Sequence, residues 1–215
     1  MSRILRLAAI LLLWLGVALP AQAAVTATFW SHEFGNSFPH AFITLRGVPD
    51  AGGAPIDANY GFTAKTVTPA LLFGSVAGTV EPLPIKYMEA SDAQFSVVLT
   101  DAQYAQIVQL VAAWSDKTGD GHYNLNNRNC IHFVKEAARL AGISTLDFPA
   151  LMKKPRSYLL AVGAANPGQL VKVALPGKQY LAGLAPIAPA SPAPALPAPP
   201  VAVLPPAAPV PAPAY

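Results

Sequence analysis

Alternating apolar and polar positions mark the first half of the chain as a source of strands. Residues 25–32 and 41–47 are rich in β-branched and aromatic side chains and are bounded by Gly, Asn and Pro, which is a strand pattern. Two prolines and a Gly-Gly pair separate the strand 41–47 from a return strand near 56–62. We therefore expect these two strands to form an antiparallel pair. Segments 86–88 and 94–99 predict further strands.

Helical periodicity follows the last of these strands. Thr100 and Gln103 form a capping box, which predicts a helix from Asp101 to about Trp114. Five residues of this helix lie on one stripe and are expected to pack on the sheet: Tyr104, Ile107, Val108, Val111 and Ala112.

The second half of the chain predicts another helix and two weaker elements. A polar, turn-rich segment over 115–129 precedes a helix over 130–141, which Gly142 ends. A short helix at 158–162 and an edge strand at 169–174 complete the pattern. An antiparallel sheet with helices packed against it is an α+β architecture.

The amino terminus has the composition of a secretory leader. Arg3 and Arg6 form a short basic region, residues 5–17 are a mostly apolar stretch, and Ala21-Gln22-Ala23 follows as a small-x-small cleavage site. A membrane anchor is the alternative, but it needs about 18 uninterrupted apolar residues, and Pro20 and Gln22 interrupt this run. We therefore expect residues 1–23 to be a signal peptide and the protein to be exported, to the periplasm or to an extracellular or cell-envelope location.

The carboxyl terminus is of low complexity. Twelve of the 23 prolines fall within 181–215, and no charged residue follows Lys178. Proline fixes φ and removes backbone donors, so an exposed polyproline II strip is expected. This tail is either a disordered spacer or a segment that lies along the cell wall. Residues 24–180 remain for one folded domain.

The charge balance excludes one class of function. The chain has 14 basic and 11 acidic residues, and removal of the leader takes Arg3 and Arg6 away. A balance of 12 to 11 without a run of Lys or Arg lacks the footprint of a nucleic-acid binder. We expect no nucleic-acid partner, no membrane span after cleavage, and a monomer.

The single cysteine carries the candidate chemistry. Cys130 cannot form an internal disulfide, so it is buried and inert, paired with another chain, or kept for its reactivity. It opens the predicted helix, on the face that bears Val134, Ala137 and Ala141. The free N–H groups and positive end of a helix favour a thiolate, so we expect a thiol pKa below about 8.5. The same N–H groups are candidates to receive an oxyanion.

A cysteine nucleophile needs a base, and His40 is the favoured one of four histidines. It begins the strand 41–47, where an imidazole can project over the end of the sheet. The others are less well placed, namely His32, His122 in the polar loop, and His132, which points away from the thiol.

The return strand offers a group to orient the imidazole. If that strand is entered near Ala54, His40 lies opposite Asn59 or Tyr60, and Asn59 is the expected hydrogen-bond partner. Asp57 and Thr63 are the fallbacks.

For several other polar and aromatic residues we expect structural roles and not catalytic or metal-binding ones. Asp116, Thr118, Asp120 and Gly121 imitate a calcium loop, but Asn127 stands where a bidentate Glu should close it. We expect a turn there. The histidines do not show the spacing of a zinc site, so we expect neither metal nor cofactor.

Arg128 is expected to be a solvated loop residue, with a substrate carboxylate as its alternative partner. Three aromatic residues are expected in the core, with a groove as the alternative: Tyr60, Phe62 and Phe73.

Two short motifs resemble a known superfamily. Asn129-Cys130-Ile131-His132-Phe133-Val134 resembles the Asn-Cys-x-x-Phe motif of the circularly permuted NlpC-type papain-like proteins, and its Asn-Cys-Glu-His-Phe-Val form in the lecithin:retinol acyltransferase family. Pro39-His40-Ala41-Phe42-Ile43 is similar to the histidine-bearing strand of the same superfamily. The histidine precedes the cysteine, as in the permuted members. The Glu of the acyltransferase form is Ile131 here, and that family's second histidine has no counterpart.

The resemblance implies a papain-like fold and a cysteine hydrolase or acyl-transfer enzyme. Cys130 would attack an amide, ester or thioester carbonyl, with His40 as base and Asn59 as the third group. For an exported bacterial member, the implied substrates are peptides of the cell wall. The alternative is a secreted binding or structural module that keeps the papain-like shape without catalysis.

Overall fold

A computed structural model describes residues 24–187 of the protein, except 34, 36 and 37. The expected signal peptide, 1–23, lies outside the described residues, as does the tail from 188 onward. The last helix ends at Ala182, so the expected domain boundary at 180 falls inside a helix. Beyond this helix the guanidinium of Arg46 donates to the carbonyl of Ala185 at 2.7 Å.

The fold of the described residues is a seven-stranded antiparallel sheet with six α-helices, which confirms the α+β class. The spatial order of the strands is β6-β4-β3-β2-β1-β5-β7. In chain order the strands are β1 (Val25–His32), β2 (His40–Gly47), β3 (Ile56–Ala64), β4 (Val76–Glu81), β5 (Asp92–Leu99), β6 (His122–Tyr123) and β7 (Val171–Pro176).

The helices lie between and after the strands. They are α1 (Ala70–Phe73), α2 (Ile85–Glu89), α3 (Asp101–Trp114), α4 (Cys130–Leu140), α5 (Pro155–Ala165) and α6 (Gly177–Ala182), and a 3₁₀ turn at Pro149–Leu151 precedes α5. Thr100 caps α3 with the predicted box.

The two faces of β2 belong to different apolar clusters. Ala41, Ile43 and Leu45 pack in the main core, with the buried face of α4 and with α5. Phe42 alternates to the opposite face, where it joins Trp30 in a smaller cluster. Successive side chains of a strand point to opposite faces, so His40 is expected on the Phe42 side.

The strands β2 and β3 separate at the end of the sheet where β2 begins. Their pairing runs from Gly47↔Ile56 to Ile43↔Tyr60. From Gly61 to Ala64, β3 pairs with β4 on its other side. The start of β2 therefore lacks a ladder partner on that side, and a cavity opens there.

The structure corrects several sequence-based expectations. Residues 86–88 are part of helix α2 and not a strand. Strands β4 and β6 and helix α1 were not predicted. Along α3, Ile107 and Leu110 are buried, and Tyr104 and Val111 pack against the core. Val108 and Ala112 are exposed, so the expected stripe is correct only in part. Phe73 is 86% exposed, so it does not belong to the core.

Candidate functional site

Local sequence places Cys130 at the first position of α4. Asn129 is the N-cap, and its side-chain oxygen accepts from the backbone N–H groups of Ile131 at 2.8 Å and His132 at 3.2 Å. The ring of His132 faces back toward the cap, with Nδ1 at 3.3 Å from the Asn129 backbone nitrogen. His132 therefore belongs to the capping box.

The Asn129 side chain also ties the helix to two other segments. Its amide nitrogen donates to the carbonyls of Leu125 at 2.9 Å and Met152 at 2.8 Å. Asn129 is 3% exposed, so these bonds are shielded from water. The Asn129 side chain therefore connects the start of α4 to the loop before it and to the segment before α5.

The thiol is more deeply buried than the sequence suggested. Cys130 is 5% exposed and packs in the main core with Val134 and Ala137, on the predicted face of α4. Burial raises the pKa of the Cys130 thiol from about 9 to about 11, because a thiolate is poorly solvated there. The expected lowering of this pKa is therefore wrong.

Several donors act on the thiol in the opposite direction. The backbone N–H of Ala41, the N–H groups of Ile131 and Cys130, and the hydroxyl of Tyr123 each lower its pKa, because a donor near the sulfur favours the charged form. They do not outweigh burial.

His40 begins β2, and its imidazole lies on the Phe42 face of the sheet. Its ring stacks on Phe42 with centroids 6.3 Å apart and meets Tyr87 edge-on at 6.4 Å. Nε2 is buried and has no hydrogen-bond partner among the described residues. Burial, followed by the charge of His32, lowers the pKa of His40 from 6.5 to about 4. The ring is therefore neutral at pH 7.

Cys130 and His40 both line one cavity of about 380 Å³, at the end of the sheet where β2 and β3 separate. The thiol reaches it from the α4 side and the imidazole from the other face. No hydrogen bond joins the two side chains. Most other lining residues are apolar; Glu81 and Lys153 are the charged ones.

Asn59 does not hold His40, because the predicted register is wrong. Asn59 pairs with Thr44, and Tyr60 pairs with Ile43. The Asn59 side chain instead accepts from the backbone N–H of Leu83 at 2.5 Å and donates to its carbonyl at 3.3 Å. It fixes the segment between β4 and α2. Of the fallbacks, Asp57 pairs with Arg46, whereas Thr63 lines the cavity.

The remaining histidines take other roles. His32 is the cross-strand partner of His40, and its Nδ1 lies 3.1 Å from the hydroxyl of Ser91. Its ring stacks on Tyr87 at 4.3 Å. His122 is exposed, and its Nδ1 lies 2.6 Å from a carboxylate oxygen of Asp120.

Tyr123 is the site residue that sequence reasoning missed. It is 8% exposed, lines the cavity, and stacks obliquely on Phe62 at 5.3 Å. Burial raises the pKa of Tyr123, as does the charge of the nearby Cys130 thiolate, so its hydroxyl keeps its proton. The available signal was one aromatic residue within an otherwise polar loop.

The polar loop before α4 is held by its own contacts. The Arg128 guanidinium stacks over the Trp114 ring at 3.8 Å, and its Nε donates to the carbonyl of His122 at 3.0 Å. The carboxylate of Asp116 bonds to Lys65 and Thr79. No group of three or more His, Cys, Asp or Glu residues suited to a metal occurs within residues 24–187 where the structure describes them.

Comparisons with known proteins give no information on the function of the site. No family model matches the chain, and neither curated proteins nor solved structures give a match. In the described part of the chain, no helix has both the length and the apolar character required to cross a membrane.

Proposed function

We propose that the protein is an exported cysteine hydrolase or acyl-transfer enzyme of papain-like fold, which uses Cys130 and His40 on amide or ester bonds, with cell-wall peptides as substrates. One observation carries this proposal: a thiol at a helix start and a buried imidazole without a partner on Nε2 line the same cavity. A buried polar atom without a partner is costly, so a functional demand on His40 accounts for its retention.

The protonation states of Cys130 and His40 suit general-base catalysis. They do not suit a thiolate–imidazolium ion pair in the free protein. At pH 7 the thiol, with a pKa of about 11, holds its proton, and the imidazole, with a pKa of about 4, is free to accept one. Transfer of the proton from sulfur to the ring would accompany attack on the carbonyl. The electron pair of sulfur forms a bond to the carbonyl carbon. The bond from this carbon to the leaving group breaks, and the leaving group takes the proton from the ring. Water then hydrolyses the thioester and releases the acyl group.

The Cys130 N–H group and the Tyr123 hydroxyl would receive the oxyanion of this attack, because the Ile131 N–H already donates to the side chain of Asn129. They already act on the sulfur in the free protein. Donors fixed by a helix start and a buried ring need no reorganisation when charge develops.

A second candidate is a secreted binding module that keeps the shape without catalysis. The raised thiol pKa and the absence of a hydrogen bond between Cys130 and His40 favour it. Such a module would use the same cavity to hold an apolar group.

Turnover by matched variants separates the two candidates. Purified cell-wall sacculi and short-chain p-nitrophenyl esters serve as substrates, with mass spectrometry to detect an acyl group on Cys130. We expect Cys130→Ser and His40→Gln each to reduce kcat by about 100-fold or more, whereas His122→Gln, on an exposed histidine, leaves it unchanged. Absence of turnover and of acyl adduct in the parent protein would select the binding module.

A further inference from the structure

Exposed apolar side chains edge the cavity that holds Cys130. Phe38 and Val67 line the cavity and are 62% and 59% exposed. Leu71, another lining residue, is followed in α1 by Leu72 at 70% and Phe73 at 86%. We call Phe38, Val67, Leu72 and Phe73 the apolar rim.

In helix α1, Leu71 packs against the main core, but Leu72 and Phe73 belong to neither apolar cluster. None of its four residues is buried, and a helix this short is not stable on its own. Single exposed apolar residues are ordinary, but four such residues at or next to the lining of one cavity are typical of an interaction surface.

Two positive charges and one negative charge flank the same cavity. Glu81 and Lys153 are lining residues, and the neighbouring Lys153 and Lys154 are both exposed. Neither takes part in an ion pair with another residue of the described chain. Apolar side chains together with unpaired lysines are the combination that holds proteins at anionic bilayers.

We propose that the apolar rim docks on an anionic lipid surface, with its apolar side chains among the acyl chains and Lys153 and Lys154 at the headgroups. A second copy of the chain fits less well. A two-fold contact through the rim would bring the lysines of both copies together, and four side chains are few beside the 20–30 residues a side of a standard interface. The proposal does not depend on catalysis by Cys130.

Vesicle flotation tests the docking. The full chain with Cys130→Ser, which removes any turnover, is mixed with vesicles of phosphatidylglycerol and phosphatidylethanolamine or of phosphatidylcholine alone. The double variant Leu72→Ser/Phe73→Ser is compared with Val98→Ser/Val171→Ser, in which each replaced valine is 62% exposed and neither lines the cavity. Because every protein has the same leader and tail, the difference between variants reports the rim.

We expect the rim variant to bind anionic vesicles at least about tenfold more weakly than the control variant. Lys153→Gln/Lys154→Gln should weaken binding to the anionic vesicles only, and added salt should reproduce that loss. Equal flotation of the rim and control variants would overturn the proposal. It would also be overturned by a dimer in sizing experiments that Leu72→Ser/Phe73→Ser abolishes, which would assign the rim to a second copy. Neither result bears on turnover by Cys130.

Discussion

The imidazole of His40 lies against the backbone of Gly61, on the neighbouring strand. A Cβ built on Gly61 would stand 2.7 Å from Nε2 of His40 and 3.2 Å from the side chain of Leu83. A contact of that length forces one partner to move. Because Gly61 has no side chain, the imidazole ring of His40 can occupy this space. Position 61 therefore provides no side chain that could orient the ring.

We therefore predict that Gly61→Ala displaces the imidazole and reduces activity by about tenfold or more, since a small misplacement of a catalytic group is costly. The measurement is kcat/KM on the substrate that the parent protein turns over, with circular dichroism to check the fold. Gly74→Ala is the matched control, because no atom lies within 4 Å of a Cβ at Gly74. Equal activity in the two variants would show that the ring position is not critical.

A second prediction concerns the hydroxyl of Tyr123. Because this hydroxyl lowers the pKa of the Cys130 thiol, Tyr123→Phe should raise that pKa and reduce the thiolate fraction. This donor is the smallest of those that act on the thiol, and a typical hydrogen bond contributes about 0.5–1.5 kcal/mol, so alkylation by iodoacetamide at pH 8–9 should slow by about threefold. Tyr104→Phe, on helix α3, is the control. An unchanged alkylation rate in Tyr123→Phe would remove Tyr123 from the site.

The start of α4 could be predicted because its signals are local. Asn129 as N-cap and the apolar spacing after Cys130 lie within a few residues of one another. Depth of burial is not local, since strands from the other half of the chain cover the thiol. The sequence therefore suggested the helix-end effect on the thiol pKa and missed the larger effect of burial.

The errors in the sheet have the same origin. The two residues of β6 become a strand only because Tyr123 pairs with Val76 of β4. The register between β2 and β3 depends on the loop between them; Ile43, and not His40, faces Tyr60. Helix α2 has only five residues and no side-chain cap at its N-cap residue, Pro84, so no local capping signal marked it as a helix.

A third prediction follows from the buried histidine. The unfolded chain takes up a proton on His40 near pH 6.5, whereas the folded protein does so only near pH 4. The free energy of unfolding should therefore fall as the pH decreases from about 6.5 to about 4, by about 3 kcal/mol from His40. His32 also has a lowered pKa from burial and acts in the same direction.

Urea denaturation at pH 7, 5 and 4 measures this effect, with His40→Gln as the test variant. Because Gln does not titrate, its stability should depend less on pH than that of the parent protein. A His40→Gln curve parallel to the parent curve would show that the loss at acid pH comes from other groups.

A fourth prediction concerns the bridge that Asn129 forms at the site. Its oxygen caps α4, and its nitrogen bonds to the carbonyls of Leu125 and Met152. Asn129→Ala should reduce the free energy of unfolding by about 2–4 kcal/mol, because it removes the cap and leaves two buried carbonyls without a donor. Asn129→Asp keeps an acceptor for the cap but places a carboxylate against those carbonyls, so it should also destabilise the protein.

Thr100→Ala is the internal standard for this measurement, because Thr100 closes a capping box of the same kind at the exposed start of α3. It should reduce the free energy of unfolding by about 1 kcal/mol. Urea denaturation of the two alanine variants isolates the contribution of the bridge. Leu125 lines the cavity and Cys130 follows Asn129, so loosening the bridge should also speed alkylation of Cys130 under native conditions, as Thr100→Ala should not. Equal losses of stability in the two variants, with equal alkylation rates, would mean that Asn129 is an ordinary cap.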